Sequence, residues 1–384
     1  MNLNTPERRQ QCAAALQAAA DKARQLSAFI GLDGFVDEIL HVVDKRHNAD
    51  SYDRMPTISR LAERLAGAAG KSTNVELVNQ ITKLGGNGPI MGNALASMGL
   101  QVTYLGNLGY PNLHPVFAEF ARRAEVHSIA QPGLTDALEF EDGKIMLGKH
   151  TSLKEVNWAN ITVRFGRDKF AAKFRSADLV GFVNWTMLTN MSQIWEAVLR
   201  EVCPSLPTGN PKRLLFFDLA DPEKRTVADI RHALDLILQF RTWFNVVLGL
   251  NEKEAHEIAR VLGLDRGDGS KEALTALARA IHSRVPVDTL VVHPVQYALC
   301  VTAGKVSLVD GLYTTQPRLT TGAGDHFNSG FCLGKLLGLD DALALLTGVT
   351  ASGYYVIKAQ SPAVGDLVRA LQNWPNGTTG PYAF

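Results

Sequence analysis

Residues 320–325, Thr-Thr-Gly-Ala-Gly-Asp, have the types and spacing to do chemistry, because small residues and an acid lead into an apolar helical segment. A turn of this kind leaves the backbone N–H groups of Ala323, Gly324 and Asp325 free at the positive end of the helix dipole. Such groups can bind a phosphate. An aspartate there would repel phosphate unless it accepted a proton from a substrate hydroxyl. We therefore predict that Asp325 is a general base; the alternative is that it only caps the helix.

Short apolar strands alternate with amphipathic helices along most of the chain, which predicts parallel β-α-β units and a doubly wound, mostly parallel sheet with helices on both faces. In such sheets ligands bind beyond the carboxyl ends of the strands. The predicted buried strands are 29–31, 101–105, 179–183, 214–218, 246–248, 290–292 and 298–302, and 75–83 and 145–153 are predicted as exposed strands. The predicted helices are 7–26, 92–98, 113–124, 191–203, 226–239, 252–262, 271–283 and 326–337.

The composition favours a globular protein that acts on a small molecule. The chain has 384 residues, of which 46% are hydrophobic, and its net charge is only +1. We expect no nucleic-acid partner, since such proteins usually carry a basic excess. There is no apolar run long enough to span a membrane and no apolar signal segment, so we expect a cytoplasmic protein. Gly70-Lys71-Ser72 resembles the end of a phosphate-binding loop, but Leu65 stands where that loop requires glycine.

The Gly-Ala-Gly-Asp helix start resembles the C-terminal signature of the PfkB/ribokinase family of carbohydrate kinases. The resemblance covers residues 27–371 and implies a ribokinase-like α/β domain, a small β-sheet lid, and ATP and Mg²⁺ as cofactors. It assigns the catalytic base to Asp325 and the anion hole to Gly322, Ala323 and Gly324. Thr321 is then expected at the nucleotide. Lid pairing into a dimer is common in this family, so the resemblance also implies a homodimer through the lid.

Asn251-Glu252-Lys253-Glu254 is similar to the family's Asn-x-x-Glu motif and follows a predicted strand. The resemblance implies that Glu254 holds a metal-bound water and that Asn251 lies beside the phosphates. Mg²⁺ keeps several of its waters, so a carboxylate that orients one of them suits this chemistry. The alternative is a capping box, in which Asn and Glu three residues later only satisfy the start of a helix.

Gly85-Gly86-Asn87-Gly88 looks like the family's N-terminal signature, in which paired glycines let a sugar approach the backbone. The resemblance therefore implies substrate contacts at Gly85, Gly86 and Asn87. The family also places an aspartate shortly after its first strand to bind substrate hydroxyls. Here Asp33 and Asp37 both qualify, and we rank Asp33 first because Gly34 keeps it close to the strand end. A carboxylate suits neighbouring hydroxyls because it accepts more than one hydrogen bond.

Three positions depart from the family pattern. Ile90 stands where the N-terminal signature usually has asparagine, and Asn87 or Asn93 could compensate. His293-Pro294 replaces glycines before the nucleotide loop, so the nucleotide contact there must differ, and we assign it to His293. Leu319 stands where some relatives have an acid that binds a monovalent cation, so potassium activation is not predicted.

The sequence thus predicts an N-terminal helical extension (1–26) and a kinase domain (27–384), with lid segments at about 34–57 and 130–156. A hairpin is expected to turn at Asp142-Gly143 within the second lid segment. The predicted function is ATP-dependent phosphorylation of a hydroxyl of a sugar-like molecule. The alternatives are a nucleoside kinase of the same family and a catalytically silent sugar- or nucleotide-sensing protein on the same fold.

Overall fold

The computed structural model describes residues 2–209 and 212–375, and in this part of the chain 14 strands form two sheets. The larger sheet has nine strands in the order β14-β13-β12-β11-β10-β9-β1-β5-β6. The strands from β6 to β12 in that order are parallel, and β13 and β14 are antiparallel additions at one edge. The strands of the chain are β1 (Ser27–Leu32), β2 (Phe35–Arg46), β3 (Tyr52–Arg54), β4 (Leu77–Gly85), β5 (Gln101–Gly106), β6 (Glu125–Ser128), β7 (Gly133–Glu139), β8 (Lys144–Lys149), β9 (Leu179–Phe182), β10 (Arg213–Asp218), β11 (Phe244–Leu250), β12 (Thr289–Val292), β13 (Tyr297–Thr302) and β14 (Lys305–Asp310).

Helices cover both faces of this sheet, which confirms the predicted α/β class. Successive side chains of a strand point to opposite faces, and accordingly Phe29 and Ile30 of β1 belong to separate apolar cores. The core around Phe29 contains α7 to α11, and the core around Ile30 contains α1, α4, α12, α13 and α14. The helices are α1 (Pro6–Ala18), α2 (Ala20–Ala23), α3 (Ile58–Ala66), α4 (Asn87–Ser97), α5 (Ala118–Ala121), α6 (Trp158–Asn160), α7 (Arg167–Ser176), α8 (Met191–Glu201), α9 (Val227–Gln239), α10 (Glu252–Leu262), α11 (Lys271–Arg284), α12 (Ala323–Leu336), α13 (Asp341–Lys358) and α14 (Val364–Gln372).

The smaller sheet is built around β2, which pairs with β4 and β7 in its first half and with β3 near its end. β7 also pairs with β8, and the Phe140 amide donates to the Gly143 carbonyl at their connection, so the predicted hairpin forms. The predicted exposed strand 75–83 is confirmed as β4, which is largely exposed, but the predicted lid segments left out this strand although it pairs with β2 of the small sheet. The sequence missed its place because the partner, β2, lies about forty residues earlier.

Several predicted elements have different ends. The predicted helix 7–26 is interrupted at Ala19, and the segment 113–124 contains only a short 3₁₀ turn and the four residues of α5. The predicted strand 145–153 ends at Lys149, and residues 151–155 form a 3₁₀ turn. α4 begins at Asn87, well before the predicted 92, because Gly86 with φ 99° serves as its N-cap. α13 and α14 were not predicted. None of the helices in the described residues could cross a membrane.

Polar side chains line the carboxyl edge of the large sheet, where the fold predicts a ligand site. Each stands at or just after the end of a parallel strand: Asp33 (β1), Asn107 (β5), Asn184 (β9), Asp218 (β10), Asn251 (β11) and His293 (β12). The beginning of α12, with Asp325, lies against the same edge, because Asn328 on its second turn donates to the Asp218 carboxylate.

Candidate active site

The glycine turn, which we define as residues Thr320–Gly324, opens α12. Gly322 is the N-cap with φ 96°, a backbone conformation that side chains rarely adopt. Asp325 is therefore not the cap, and its side chain is free for another purpose. The Ala323 amide donates to the Thr320 carbonyl at 3.1 Å, so the expectation that this amide is free was wrong. The amides of Gly324 and Asp325 have no backbone acceptor in the described residues and keep the predicted anion-binding capacity.

Asp325 is 7% exposed, and its carboxylate accepts a hydrogen bond from Asn87 Nδ2 at 3.0 Å. Asn87 is the first residue of α4, so the two predicted signatures meet at this contact. Burial raises the pKa of Asp325 well above its usual value, and the neighbouring charges of Asp218, Asp33 and Glu254 act in the same direction. A carboxylate with a raised pKa is a stronger proton acceptor, which is what a general base requires.

Asp33 is completely buried at the end of β1. Its Oδ1 accepts from the Gly88 amide and its Oδ2 from Asn184 Nδ2, both at 2.8 Å, and burial raises its pKa to about 6. A Cβ atom on Gly88 would lie 2.5 Å from Oδ1, and one on Gly86 would lie 2.8 Å from Oδ2. These two glycines thus make room for the Asp33 carboxylate, a role that the sequence interpretation did not include.

Asp37 lies on β2 of the small sheet and is 7% exposed. Burial raises its pKa, while Lys83 on the paired strand β4 opposes that change. A Cβ atom on Gly85 would lie 2.4 Å from Asp37 Oδ2, so the glycine leaves room for the Asp37 carboxylate. Asp33 accepts from the Gly88 amide, and the adjacent residue Asn87 donates to Asp325, so Asp33 and the candidate base meet at the start of α4.

Asn251 and Glu254 form a complete capping box at the start of α10. The Asn251 side chain accepts from the Glu254 amide at 2.9 Å, and Glu254 Oε2 accepts from the Asn251 amide at 2.8 Å. Glu254 Oε1 accepts from the Asp221 amide at 3.0 Å. Both oxygens are thus held by the backbone, and burial raises the pKa of Glu254. The structure therefore confirms the capping box, which was the alternative interpretation of this motif.

Asp218 is a site residue that the sequence interpretation missed. It ends β10 at 6% exposure, accepts from the Ala220 amide at 2.8 Å, and accepts from Asn328 Nδ2 at 2.9 Å. Burial raises its pKa well above the usual value, and Glu254 adds to that effect. The signal was available, since an acid directly after an apolar strand of a parallel sheet stands at the ligand-binding edge. Asn184 follows β9 at the same edge, and its Oδ1 is buried with no hydrogen-bond partner among the described residues.

A cavity of about 580 Å³ adjoins the glycine turn. Its walls are largely apolar and include Asn251 and His293, and the His293 ring lies beside Gly324. Burial lowers the pKa of His293 to about 4, and its ring lies against that of Phe327 with a 4.7 Å centroid distance. The lining residues include Tyr297, Leu312, Thr320, Ala323, Val349 and Val356. Thr321 is exposed and does not line the cavity, whereas Thr320 does.

Ile90 stands where the family signature usually has asparagine, and the structure shows what this side chain and the nearby asparagines contact. Ile90 packs against the glycine turn, since a Cβ on Gly322 would lie 3.2 Å from Ile90 Cγ2. Asn93 donates to Ser361 at 3.3 Å, away from the buried acids, whereas Asn87 contacts Asp325. Of the two amides that could compensate for Ile90, Asn87 is therefore the one at the candidate site.

Comparisons with known proteins show the family and the fold of this chain. The family model for prokaryotic ketohexokinase matches residues 2–374. A ketohexokinase from Haloferax volcanii is 30% identical over 362 residues, which cover 94% of this chain and 93% of that protein. Among solved structures, Arabidopsis thaliana ribokinase complexed with ribose and ATP has a TM-score of 0.60 at 16% identity and covers 91% of this chain and 99% of its own. Escherichia coli phosphofructokinase-2 has a TM-score of 0.59 at 12% identity, with coverage of 90% and 98%.

The two solved structures share the fold, which confirms the predicted ribokinase-like architecture. The family model matches nearly the whole chain, so it shows the family of the chain, whereas the solved structures show only its fold. The chain belongs to the prokaryotic ketohexokinase family and is an ATP-dependent carbohydrate kinase of the ribokinase type.

Proposed function

We propose that this kinase transfers the γ-phosphoryl group of ATP to a hydroxyl of a ketohexose, with Asp325 as general base. The observation that carries the proposal is the position of Asp325, which joins the free amides of the glycine turn to the buried acids at the sheet edge. The substrate hydroxyl gives its proton to Asp325 as its oxygen bonds to phosphorus, and the bond to the ADP oxygen breaks. The amides of Gly324 and Asp325 would hold the transferred group.

The ketohexose is proposed because the Haloferax volcanii relative is named a ketohexokinase. Asp33 and Asn184 are the groups we assign to the sugar hydroxyls, since the unpartnered Asn184 Oδ1 lies next to the Asp33 carboxylate. Asp33 has no exposed surface, so a neighbouring element must move to admit the sugar. The small sheet is the element we expect to act as this lid, because it carries Asp37 and Lys83 and ends at Gly85 beside Asn87. A closed lid also keeps water from the phosphoryl group.

The donor set fits Mg²⁺. Asp33, Asp218, Glu254 and Asp325 are buried together, and burial raises the pKa of each, so the site holds more acid than its own surroundings neutralise. Within the described residues no cluster of three or more acids, histidines or cysteines is arranged as a metal site. The ion would therefore be held by nucleotide phosphates and waters, with Glu254 orienting one water. When bound, Mg²⁺ supplies positive charge against the phosphate oxygens.

The nucleotide base and ribose are assigned to the 580 Å³ cavity, whose apolar walls suit a purine. In this arrangement Asn251 and His293 lie between the base and the phosphates, at the Gly324 end of the cavity. Thr320, rather than Thr321, is the threonine we now expect near the nucleotide.

The test of the proposed function is a coupled ADP-release assay with Asp325→Asn, run over a panel of ketohexoses, aldohexoses and nucleosides. We expect kcat to fall at least about a hundredfold for the ketohexose, the scale of general-base loss. Asp235→Asn, on the exposed face of α9, is the matched control and should keep full activity. An unchanged kcat in Asp325→Asn would exclude its role as base. A higher kcat/KM for nucleosides than for ketohexoses would favour the nucleoside kinase, and no turnover of any acceptor would favour the sensing protein.

The small sheet also supports the expected homodimer. Ile81 and Met146 are 57% and 50% exposed, and the strand register places them on one row with Ile39 and Ala137 between them. Large exposed apolar side chains on one sheet commonly mark a contact surface. We expect a dimer by light scattering, and Ile81→Lys should shift it towards monomer; a wild-type monomer at micromolar concentration would contradict the expectation. A nucleic-acid partner is not expected, given the net charge of +1.

A further inference from the structure

Two aromatic side chains hold the outer side of the glycine turn. His326 Nδ1 lies 2.7 Å from the Gly322 carbonyl oxygen, and the Tyr355 hydroxyl donates to the Thr321 carbonyl oxygen at 3.0 Å. The two rings stack on each other with a centroid distance of 3.7 Å and an interplanar angle of 14°. His326 is 1% exposed, so its hydrogen bonds are not made to bulk water.

We propose that His326 and Tyr355 are positioning residues of the phosphoryl-transfer site, which fix the glycine turn in its anion-binding conformation. The two carbonyls that they hold belong to consecutive peptide units, Thr321–Gly322 and Gly322–Ala323. A peptide unit is planar and trans, so its carbonyl and its N–H point in opposite directions. Holding the Thr321 carbonyl outward directs the Gly322 N–H to the opposite side of the turn.

The Gly322 carbonyl has a second function that makes its position important. It also accepts from the His326 backbone amide at 3.1 Å, which is the first hydrogen bond of α12. Fixing this oxygen therefore fixes the direction in which α12 starts. The free amides of Gly324 and Asp325 lie in that first turn, and so does the Asp325 side chain. A rotation at Gly322 would move all of these groups together, and glycine by itself opposes rotation weakly.

To donate to the Gly322 carbonyl, the imidazole of His326 must carry a proton on Nδ1, and its surroundings favour that state. Its Nε2 lies 2.9 Å from the Ser361 hydroxyl, and that hydroxyl accepts from Asn93 Nδ2 at 3.3 Å. The Gly322 carbonyl can only accept, so Nδ1 carries and donates the single proton of a neutral imidazole, which leaves Nε2 to accept from the Ser361 hydroxyl. Burial lowers the pKa of His326 to about 4, in agreement with a neutral ring. Burial also raises the pKa of Tyr355 to about 12, so its hydroxyl keeps the proton that it donates.

The connections of this group reach beyond the turn. The Ser97 hydroxyl, on α4, donates to the Ser361 carbonyl at 3.1 Å, so α4, α12 and the segment after α13 are tied together. Ile90 of α4 packs on the inner side of Gly322 while the Tyr355 hydroxyl lies on the same glycine; a Cβ there would be 3.2 Å from each. Gly322 is thus enclosed by side chains of α4 and α13, and this packing restricts rotation of its backbone.

This inference rests on the proposed function, because it assumes that the glycine turn binds the transferred phosphoryl group. Its test uses substitutions of His326 that separate the two ring nitrogens. An asparagine amide nitrogen can take the place of Nδ1, whereas a glutamine amide reaches the place of Nε2. We expect His326→Ala and His326→Gln to lower kcat roughly 10- to 100-fold, because a displacement of about 1 Å at a reacting site can cost about a hundredfold in rate. His326→Asn should keep kcat within about threefold, since it retains the contact to the Gly322 carbonyl.

If His326 had only a structural role, its substitution would lower the free energy of unfolding, and the asparagine variant would not keep a higher kcat than the alanine and glutamine variants. We therefore measure the dissociation constant of ADP and the KM for ATP in each variant at a temperature below the onset of unfolding. Both should stay within about twofold of the wild type, because the amides act mainly on the transferred group. Tyr355→Phe, which keeps the stacked ring and removes the hydroxyl, should lower kcat by roughly 3- to 10-fold. His232→Ala, an exposed histidine paired with Glu196, is the control and should not change kcat.

The outcomes separate the two proposals. If Asp325→Asn loses activity while the alanine, glutamine and asparagine variants at position 326 have equal kcat values, the positioning role is wrong and the proposed function stands. If all three variants lose kcat and ADP affinity equally, His326 is only structural, which also overturns the inference. If Asp325→Asn keeps its activity, the proposed function fails first, whatever the variants of His326 show.

Discussion

Asp33→Asn should make the unliganded protein more stable at neutral pH while removing sugar phosphorylation. The Asp33 carboxylate is completely buried, and burial raises its pKa to about 6 from the model-compound value of 3.8. Below its pKa in the unfolded state, the Asp33 carboxyl is protonated in both the folded and the unfolded protein and does not lower the free energy of unfolding. As the pH rises from the unfolded pKa to the folded pKa, the unfolded state ionises first, so the free energy of unfolding decreases, and it levels off above the folded pKa, where the charge is held in the protein interior.

The size of this effect follows from the two pKa values. A difference of about two units corresponds to about 3 kcal/mol in full, and about half of that, roughly 1.4 kcal/mol, develops between pH 5.0 and 7.5. We therefore expect the stability difference between Asp33→Asn and the wild type to move in favour of the variant by that amount over this interval. Comparing two pH values cancels the part of the substitution effect that does not depend on pH. The measurement is equilibrium unfolding in urea at both values.

The structure can accept the amide without losing a hydrogen bond. Asn184 Nδ2 now donates to Asp33 Oδ2, and Asn184 Oδ1 is buried without a partner. A flip of the Asn184 amide would let Oδ1 accept from the new amide at position 33, while the Gly88 amide keeps its acceptor. Asp50→Asn, at an exposed position, is the control and should show no such pH dependence. If Asp33→Asn followed the wild type at both pH values, the buried-charge explanation would be refuted.

Two further substitutions test the glycine turn and the metal contact. Gly322→Ala should lower kcat more than about tenfold and the free energy of unfolding by about 1–2 kcal/mol, because its φ is 96° and Ile90 and Tyr355 enclose it. The control is Gly338→Ala, at φ 79° with open space after α12, which should lower only the free energy of unfolding. Equal kcat values in the two variants, measured by ADP release, would contradict this. Glu254→Gln should raise the Mg²⁺ concentration needed for half-maximal activity, since it removes a carboxylate from the proposed water-mediated contact. Glu257→Gln, one turn along α10, should leave the Mg²⁺ titration unchanged, and identical curves for both variants would rule out the role of Glu254.

The fold was largely predictable because the strands of the large sheet carry their signal locally. A fully buried parallel strand is a short run of apolar residues, and β9 to β12 are runs of this kind. The small sheet was harder, because β4 alternates weakly and four of its nine residues are polar or charged, so its pairing with β2 decides its structure. Propensity also misled at residues 113–124, where a helical pattern gives way to a 3₁₀ turn after Pro115.

The candidate site was predictable where a short motif contains the whole geometry. The glycine turn and Asp325 are adjacent in sequence, so their relation to the start of α12 follows from local rules. Contacts between distant residues have no such signal: Asn87 and Asp325 are 238 residues apart, and Asp218 and Asn328 are 110 apart. The role of Gly86 as space for the Asp33 carboxylate could not be predicted either, because it depends on how closely β1 approaches the start of α4.

The buried acids connect stability with catalysis in this protein. Asp33, Asp218, Glu254 and Asp325 all have a pKa raised by burial, and each charge makes its neighbours harder to ionise. The same arrangement that makes Asp325 a strong proton acceptor therefore destabilises the unliganded fold at neutral pH. A ligand that brings positive charge to these carboxylates would relieve that cost only in the folded state, and binding of this kind raises stability. We consequently expect Mg²⁺ alone to raise the melting temperature of the wild type more than that of Asp325→Asn, because the variant has one buried charge less to neutralise, and equal shifts in thermal unfolding would contradict this.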